Sequence, residues 1–469
     1  MKTTHAGGLA VCVVAMVAVA TVVAELPGEG PRFGGIGVSQ EQIQSGDLSL
    51  REIRTLGLRV FSTPFNKLDG YGDGPMDPAD PTTPGGRPTL QGNGTFLRIN
   101  GLDGQSCLEC HSIVSNASIP AKFGIGGVGG SVSNAMFLPT SMDVNDSAGQ
   151  GHASFNGRFI NPPFLFGSGG VELLAREMTE DLQALRAEAE ANPGTDVALI
   201  TKGVDFGVIR FAGGAFDTSR VEGIEPDLVV RPFGRKGELA TTRAFDVGAL
   251  QFHLGMQAVE AVGLDTDPDG DGVTNEILIG ELSSLVIFNT TLERPRQHDA
   301  RRQKASLALF DSVGCASCHR PQLETRGRVL TYSFPEVETD PSANVYYEVD
   351  LSEAPAKFSK SRDGGLVVPL FADLKRHDMG PGLAESFGSA NDALFTTARL
   401  WGVADTAPYM HDGRALTLGD AILMHGGEAQ AARDNYAALT DEGKVKILGF
   451  LRSLRTPRHP AKGLGGRRG

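Results

Sequence analysis

Cys107-Leu108-Glu109-Cys110-His111 and Cys315-Ala316-Ser317-Cys318-His319 are the two stretches on which the fold turns. Each is a Cys-x-x-Cys-His motif, the attachment pattern of a c-type haem. Two cysteines at this spacing form thioether bonds to the porphyrin edge, and the adjoining histidine is placed to bind iron from the proximal side. The chain has five cysteines. Four lie in these motifs, and the fifth, Cys12, lies in an N-terminal apolar run. A zinc site would need a further Cys or His pair close by, which neither motif has. A disulfide across the two-residue gap would leave both histidines without a role. The motifs therefore predict two covalently bound haem c groups. Cys107, Cys110, Cys315 and Cys318 are the expected attachment points, and His111 and His319 the expected proximal iron ligands.

The N-terminus agrees with this chemistry. Lys2 supplies a positive region, Leu9 to Ala24 is an apolar run broken only by Thr21, and small residues at Val22 and Ala24 suit cleavage before Glu25. This reads as a signal peptide over residues 1–24, with an uncleaved anchor as the alternative. The run is short for a membrane span and is followed by polar, Gly/Pro-rich sequence. No stable membrane span is expected after cleavage. Covalent haem attachment takes place outside the bacterial cytoplasm, so the expected location is the periplasm.

About 445 residues then remain, enough for two or three ordinary cores. The formal charge of -13 argues against nucleic acid as a partner. It is compatible with docking a basic electron-donor protein. The chain's 61 glycines and 26 prolines indicate long loops.

Hydrophobic spacing predicts a helix over 171–191, hairpins within 194–236, and helical segments over 241–262, 281–313, 417–430 and 440–454. Thr417 and Asp420 have capping-box spacing at the start of one of these. Short helices in long loops are expected before residue 105. The predicted fold class is mainly α.

Between the haem motifs, Asp265, Asp267, Asp269 and Asp271 alternate, Gly270 supplies a sharp turn, and Glu276 falls at the twelfth position. This is the ligand spacing of an EF-hand-type calcium loop, with Pro268 unusual inside it. A structural calcium is expected here, and a solvated acidic turn is the alternative reading.

The occupant of each iron's second axial position decides function, because a strong ligand makes an electron-transfer haem and an open position admits peroxide. Besides the proximal pair and His5, the chain offers His152, His253, His298, His377, His411, His425 and His459. His298 and His459, in charged surroundings, read as solvated. A distal carboxylate assists peroxide cleavage by moving a proton between its two oxygens. Glu172 is the first candidate and Glu177 the second, although a glutamate on an amphipathic helix is also an ordinary solvated residue.

Several C-terminal stretches together resemble one known group of proteins. They are Leu309-Phe310, Gly314-Cys-Ala-Ser-Cys-His-Arg-Pro321, Asp373-Leu-Lys-Arg-His-Asp-Met-Gly-Pro-Gly382, Leu400-Trp-Gly402, Thr406-Ala-Pro-Tyr-Met-His-Asp-Gly-Arg414, Thr417-Leu418, Ala421-Ile422 and His425-Gly-Gly-Glu-Ala429. The group is the bacterial di-haem cytochrome c peroxidase superfamily, most closely its di-haem oxidoreductase branch. Upstream, Phe65, Asp69-Gly70, Ser106 to His111, Pro162-Pro163, Phe166-Gly167 and Phe233 to Gly237 match more loosely.

The resemblance implies two cytochrome c-like domains joined by a small irregular or β insertion. They are expected over residues 25–290, including the calcium-type loop, and 291–460, followed by a basic tail over 461–469. It further implies hydrogen peroxide as substrate, at the N-terminal haem. Electrons would come from a small cytochrome or cupredoxin-type donor through the C-terminal haem. In the resembled peroxidases a methionine after the Tyr-x-His-x-Gly motif is the distal ligand of the C-terminal haem. The matching position here is His425, next to Met424, so this haem is expected to be bis-histidine. The mobile distal histidine that follows the first haem motif in those peroxidases has no counterpart in residues 112–151. That position is left open or falls to His152, His253 or another residue. A second calcium, on backbone oxygens of Thr406 and Pro408, is also implied. Trp401, the single tryptophan, is expected to pack against the second haem, with electron passage between the haems as the alternative. Two alternatives stand beside the peroxidase: an electron carrier with both irons six-coordinate, and a high-valent-haem oxidase of another protein or small molecule.

Overall fold

The computed structural model describes residues 33–72, 106–111, 161–353, 355–385 and 388–457. For residues 76–77, 80–84, 109–110, 136–143 and 154–160 it describes the backbone alone. The expected signal peptide with Cys12, His152, His459 and the basic tail lie outside the described residues, as does the Cys110 side chain.

Eleven α-helices are described: α1 (Gln40–Gln44), α2 (Leu50–Ser62), α3 (Cys107–Cys110), α4 (Ser168–Ala191), α5 (Thr242–Ala249), α6 (Val259–Val262), α7 (Ile279–Thr290), α8 (Lys304–Ser312), α9 (Leu418–Leu423), α10 (Gln430–Ala437) and α11 (Asp441–Leu451). Local chemistry sets several of their ends. At the start of α2, Ser49 Oγ accepts from the Glu52 amide and the Glu52 carboxylate accepts from the Ser49 amide, a capping box. Thr417 Oγ1 accepts from the Asp420 amide at 3.1 Å and so caps α9.

Helix α7 is the axis of the larger core. Every residue from Gly280 to Thr290 is buried, as expected of a helix that is largely apolar around its whole circumference. Its hydroxyls bond inward, Ser284 to the Glu281 carbonyl and Thr290 to the Val286 carbonyl. Helix α2 packs against it at Gly57, where a Cβ would stand 2.1 Å from the Ser284 carbonyl oxygen, and at Phe61, whose ring lies 5.5 Å from that of Phe288. This core draws on residues from Phe33 to Trp401. A second core joins Phe310, Phe371, Leu418, Ile447, Phe450 and Leu454. Cys315 and Ala316 of the second haem motif pack against it.

The expectation of a mainly α fold is not met. Helix accounts for 35% of the described chain and strand for 16%. Two hairpins pair β1 (Met76–Asp77) with β2 (Asp80–Pro84) and β3 (Met136–Asp143) with β4 (Ser154–Ile160). Strands β5 (Asp196–Thr201), β6 (Val204–Ala212) and β7 (Ala215–Asp217) form an antiparallel meander. After β8 (Arg296–Gln297) come β9 (Leu323–Glu324), β10 (Val329–Ser333), β11 (Val345–Asp350), β12 (Ser359–Lys360), β13 (Leu366–Val368), β14 (Arg376–Asp378) and β15 (Leu394–Thr396), and the chain closes with β16 (Leu454–Arg455). Strands β10 and β11 pair antiparallel, as do β14 and β15.

The difference has a physical cause. Most of the strands after residue 318 are two to six residues long, too brief for a period-2 pattern to stand out from loop. What remains is composition: Val-Leu-Thr-Tyr in β10 and Val-Tyr-Tyr-Glu-Val in β11 are β-branched and aromatic. The 171–191 expectation is met by α4, but two others are too long. The 281–313 segment breaks between α7 and α8, where Pro295 stands, and the 241–262 segment is interrupted by a π-turn at Leu250–Leu254.

Candidate functional site

The second haem motif sits in a short 3-10 turn, Cys315–Ser317, directly after α8. His319 Nδ1 lies 3.1 Å from the Phe371 carbonyl oxygen, so this nitrogen donates and Nε2 is the one left with a lone pair for a metal. Burial, reinforced by the neighbouring His425, depresses His319 to about 4 and keeps the imidazole neutral, the form that binds metal. His425 stands just past the end of α9. Its Nδ1 lies 2.8 Å from the Ala421 carbonyl, and burial lowers its pKa as well. The two ring centroids are 6.4 Å apart. Two imidazoles bonded at about 2 Å to opposite sides of one metal have centroids about 6 Å apart, so the pair fits a shared iron. Met424, at the C-cap of α9, is 37% exposed, and it is His425 that faces His319.

The first motif forms α3, with Leu108 buried in the large core and Cys107 packed against it. Burial takes His111 down to about 4. The charge of His253 acts in the same direction, and the Pro163 carbonyl opposes it. His253 is thus near enough to His111 for the two to interact electrostatically. It lies in the π-turn that follows α5, and such turns concentrate at functional sites. A buried, neutral imidazole faced by a second histidine fits a haem ligand here too.

The candidate acids have been given other partners. Glu172 is 1% exposed. Its Oε1 accepts from Arg176 at 2.7 Å and its Oε2 from the Thr242 amide at 2.9 Å, at the positive end of α5. Glu177 accepts from Lys202 at 2.5 Å and from the amides of Arg326 and Gly327, which anchors the turn before β10. Two acids that the sequence did not single out stand beside Glu172. Burial raises Asp246 to about 8; Asn289 Nδ2 donates to both its oxygens and opposes the shift, while Glu172 adds to it. Burial and then Glu172 raise Glu336 to about 7, where it lines a small cavity with Arg176, Thr241, Ser333 and the apolar Val230 and Val337. Carboxyls that hold a proton near neutrality are the form a proton donor needs. Nothing in the local spacing of Asp246 or Glu336 marks them in the sequence, because only the fold buries them.

In the acidic loop, carboxylate oxygens of Asp267, Asp269 and Asp271 lie within 4.8 Å of one another. Asp267 also accepts from the amides of Gly270, Asp271 and Gly272 and so shapes the turn. Burial raises Glu276 to about 9, and Asp271, Asp269 and Asp267 push the same way. Asp265 is turned aside and pairs with the side chain of Asn275. The loop thus gathers three aspartates with Glu276 in electrostatic range, a donor set suited to a hard cation.

Asn161 Nδ2 donates to the carbonyl oxygens of Pro408 and Met410, and Asn161 Oδ1 is buried without a hydrogen-bond partner among the described residues. Asn161 therefore joins the segment that carries Thr406 and Pro408, a link that the sequence did not announce. Trp401 packs in the large core, with its ring 6.3 Å from that of Phe358 and lying over Gly167, rather than in the core beside the second motif.

Residues 356–454 match the family model described as "Di-haem oxidoreductase, putative peroxidase". No curated protein matches the chain. Among solved structures, hydrazine synthase of Kuenenia stuttgartiensis aligns over 94% of this chain and 99% of its own, at 15% identity and a TM-score of 0.32. A MauG-like protein associated with microbial copper homeostasis aligns over 49% of this chain and 71% of its own, at 15% identity and a TM-score of 0.25. Both scores are too low to carry a statement about this fold. The matched residues 356–454 hold the Asp373–Gly382 and Thr406–Arg414 motifs together with His425, the stretches on which the resemblance was drawn.

Proposed function

We propose that the chain is a periplasmic di-haem c-type oxidoreductase that reduces hydrogen peroxide. One peroxide, two electrons and two protons give two waters. The haems, when bound, supply the electron storage and the peroxide chemistry. Cys107, Cys110, Cys315 and Cys318 would hold them covalently.

The observation that carries this reading is the His319–His425 pair. The pair would hold one iron between two imidazoles, an arrangement that would suit a relay from an electron-donor protein and would leave that iron closed to substrate. The peroxide site is then the one at His111. His253 faces it from a π-turn, so this histidine would act as the gate. Glu172, Asp246 and Glu336 form the buried acid group from which protons could be drawn, with Glu177 holding the adjoining turn. A calcium on Asp267, Asp269 and Asp271, with Glu276 in electrostatic range and Asp265 held by Asn275, would pin the loop that leads into α7.

The same His253 favours a second reading, an electron carrier in which both irons stay six-coordinate. Spectra of the reduced and half-reduced protein with and without carbon monoxide separate the two. Carbon monoxide binding at one iron per chain supports the peroxidase, and its absence in every redox state leaves the carrier.

A further inference from the structure

His377, in β14, is 9% exposed and bonded at both ring nitrogens. Its Nε2 lies 2.9 Å from Asp373 Oδ2 and its Nδ1 2.7 Å from Glu428 Oε2. A neutral imidazole carries one N–H, so two carboxylate partners require two protons and hold the ring as an imidazolium. Burial opposes this charge, but the hydrogen bonds to Asp373 and Glu428 hold the pKa above its ordinary value.

Each carboxylate is itself tied to backbone. Asp373 Oδ1 accepts from the Lys375 amide and from Thr397 Oγ1, and Glu428 Oε1 accepts from the Asp378 amide at 2.8 Å. The two ends of this bridge belong to different sides of the second haem site. Asp373 follows by two residues Phe371, whose carbonyl orients His319. Glu428 follows His425 by three residues, and its turn lies flat on the first segment: a Cβ on Gly427 would stand 2.1 Å from the Asp378 carbonyl oxygen. His377 Nδ1 also lies 3.9 Å from Cys318 Sγ, an expected haem attachment atom.

We propose that His377 is a positioning residue for the second haem site: the Asp373–His377–Glu428 bridge fastens the segment that orients His319 to the turn that carries His425, and so sets the spacing of the two imidazoles. This rests on reading His319 and His425 as ligands of one iron. The bridge also places a fixed cation, flanked by two anions, beside Cys318, and so would set it near a haem attached there. Removing the cation alone stabilises the ferric form and lowers the potential, whereas removing one anion raises it.

The test uses the full haem-loaded chain and reads cyanide affinity and midpoint potential at the second iron. Haem content after denaturation serves as the folding control. Glu428→Ala, at a half-exposed side chain, and His377→Gln should each raise cyanide affinity by about 10-fold or more, the scale of a lost outer-shell partner. His377→Gln should lower the potential and Glu428→Gln should raise it, opposite shifts that a purely structural role would not produce. Unchanged affinity in Glu428→Ala together with unchanged potentials in the other two overturns the proposal. His425→Ala separates the underlying reading: if it leaves the second iron six-coordinate, the paired-ligand assignment fails, and the bridge with it.

Discussion

The rings of His319 and His425 stand 6.4 Å apart, centroid to centroid, with planes inclined by 61°. Each Nδ1 is engaged by a backbone carbonyl, Phe371 for one and Ala421 for the other. Both Nε2 atoms are thereby left as the metal-binding nitrogens. His425→Ala should convert a six-coordinate iron into one that binds carbon monoxide when reduced, and added imidazole should restore the original spectrum. Met424→Ala, at a residue on the surface, should leave the spectrum unchanged. The reverse pattern would transfer the assignment to Met424.

Helix packing gives a prediction that is independent of haem. A methyl group on Gly57 would enter the contact between α2 and α7, 2.1 Å from the Ser284 carbonyl and 2.6 Å from Phe288 Cβ. Both neighbours belong to a helix buried along its length, so neither has room to retreat. Gly57→Ala should destabilise the chain by about 3 kcal/mol, the upper range for overpacking. A denaturant midpoint within error of the wild type would show that the helices can separate at little cost.

How much of this was legible in the sequence depended on range. Cys-x-x-Cys-His is a contiguous chemical unit, and the ligand spacing of the acidic loop is contained in twelve residues, so both could be recognised locally. His425 was reachable by counting from the Tyr409-Met410-His411 motif. His253 could only be named among the remaining histidines, because what brings it to His111 is the course of the chain through α5 and the π-turn. Asp246 and Glu336 become proton-holding acids only because α4, α5, α7 and β10 close over them. His377 was visible as a histidine, but its second partner, Glu428, lies 51 residues away. The strands after Cys318 were missed for a related reason: two to six residues carry too little periodicity, and their pairing partners are set by tertiary contact.

The buried Asp246 predicts a pH dependence of stability. Its ordinary value is 3.8, and the folded chain raises it to about 8. Between these values the folded state keeps a proton that the unfolded state has released. Stability therefore falls as pH rises from about 4 to about 8, and flattens above that. Glu336, raised to about 7, contributes with the same sign. Asp246→Asn should remove part of this slope and make the chain relatively more stable at pH 8 than the wild type. Parallel stability curves for the two proteins over this range would show that Asp246 is already ionised in the fold.

The acidic loop should respond to calcium. Ion binding to Asp267, Asp269, Asp271 and Glu276 would relieve the mutual repulsion that helps raise Glu276. At a calcium concentration 100 times the dissociation constant, the folded state gains about 2.7 kcal/mol. The melting temperature should rise with calcium, fall with a chelator, and lose both responses in Asp269→Asn. Identical melting in calcium and in chelator would identify the loop as a solvated acidic turn.

The last prediction separates a gated peroxidase from an electron carrier. His253 is close enough to lower the pKa of His111, and it lies in a π-turn next to Phe252, which is 49% exposed. If His253 is the gate, the half-reduced protein should bind carbon monoxide at the first haem and consume hydrogen peroxide. His253→Ala should then react with hydrogen peroxide without prior reduction, and should bind carbon monoxide at the first haem once that iron is ferrous. Replacing His111 should abolish the peroxide reaction while the second haem keeps its spectrum. Glu172→Gln tests the acid group: loss of about 10²-fold in the peroxide step would mark it as a proton donor, on the scale of general acid catalysis. An unchanged rate would confine Glu172 to its structural bonds with Arg176 and Thr242 and shift attention to Asp246 and Glu336. If His253→Ala opens the iron to carbon monoxide but peroxide is still not consumed in any redox state, the peroxidase reading is lost, and the chain is an electron carrier whose first haem His253 keeps closed.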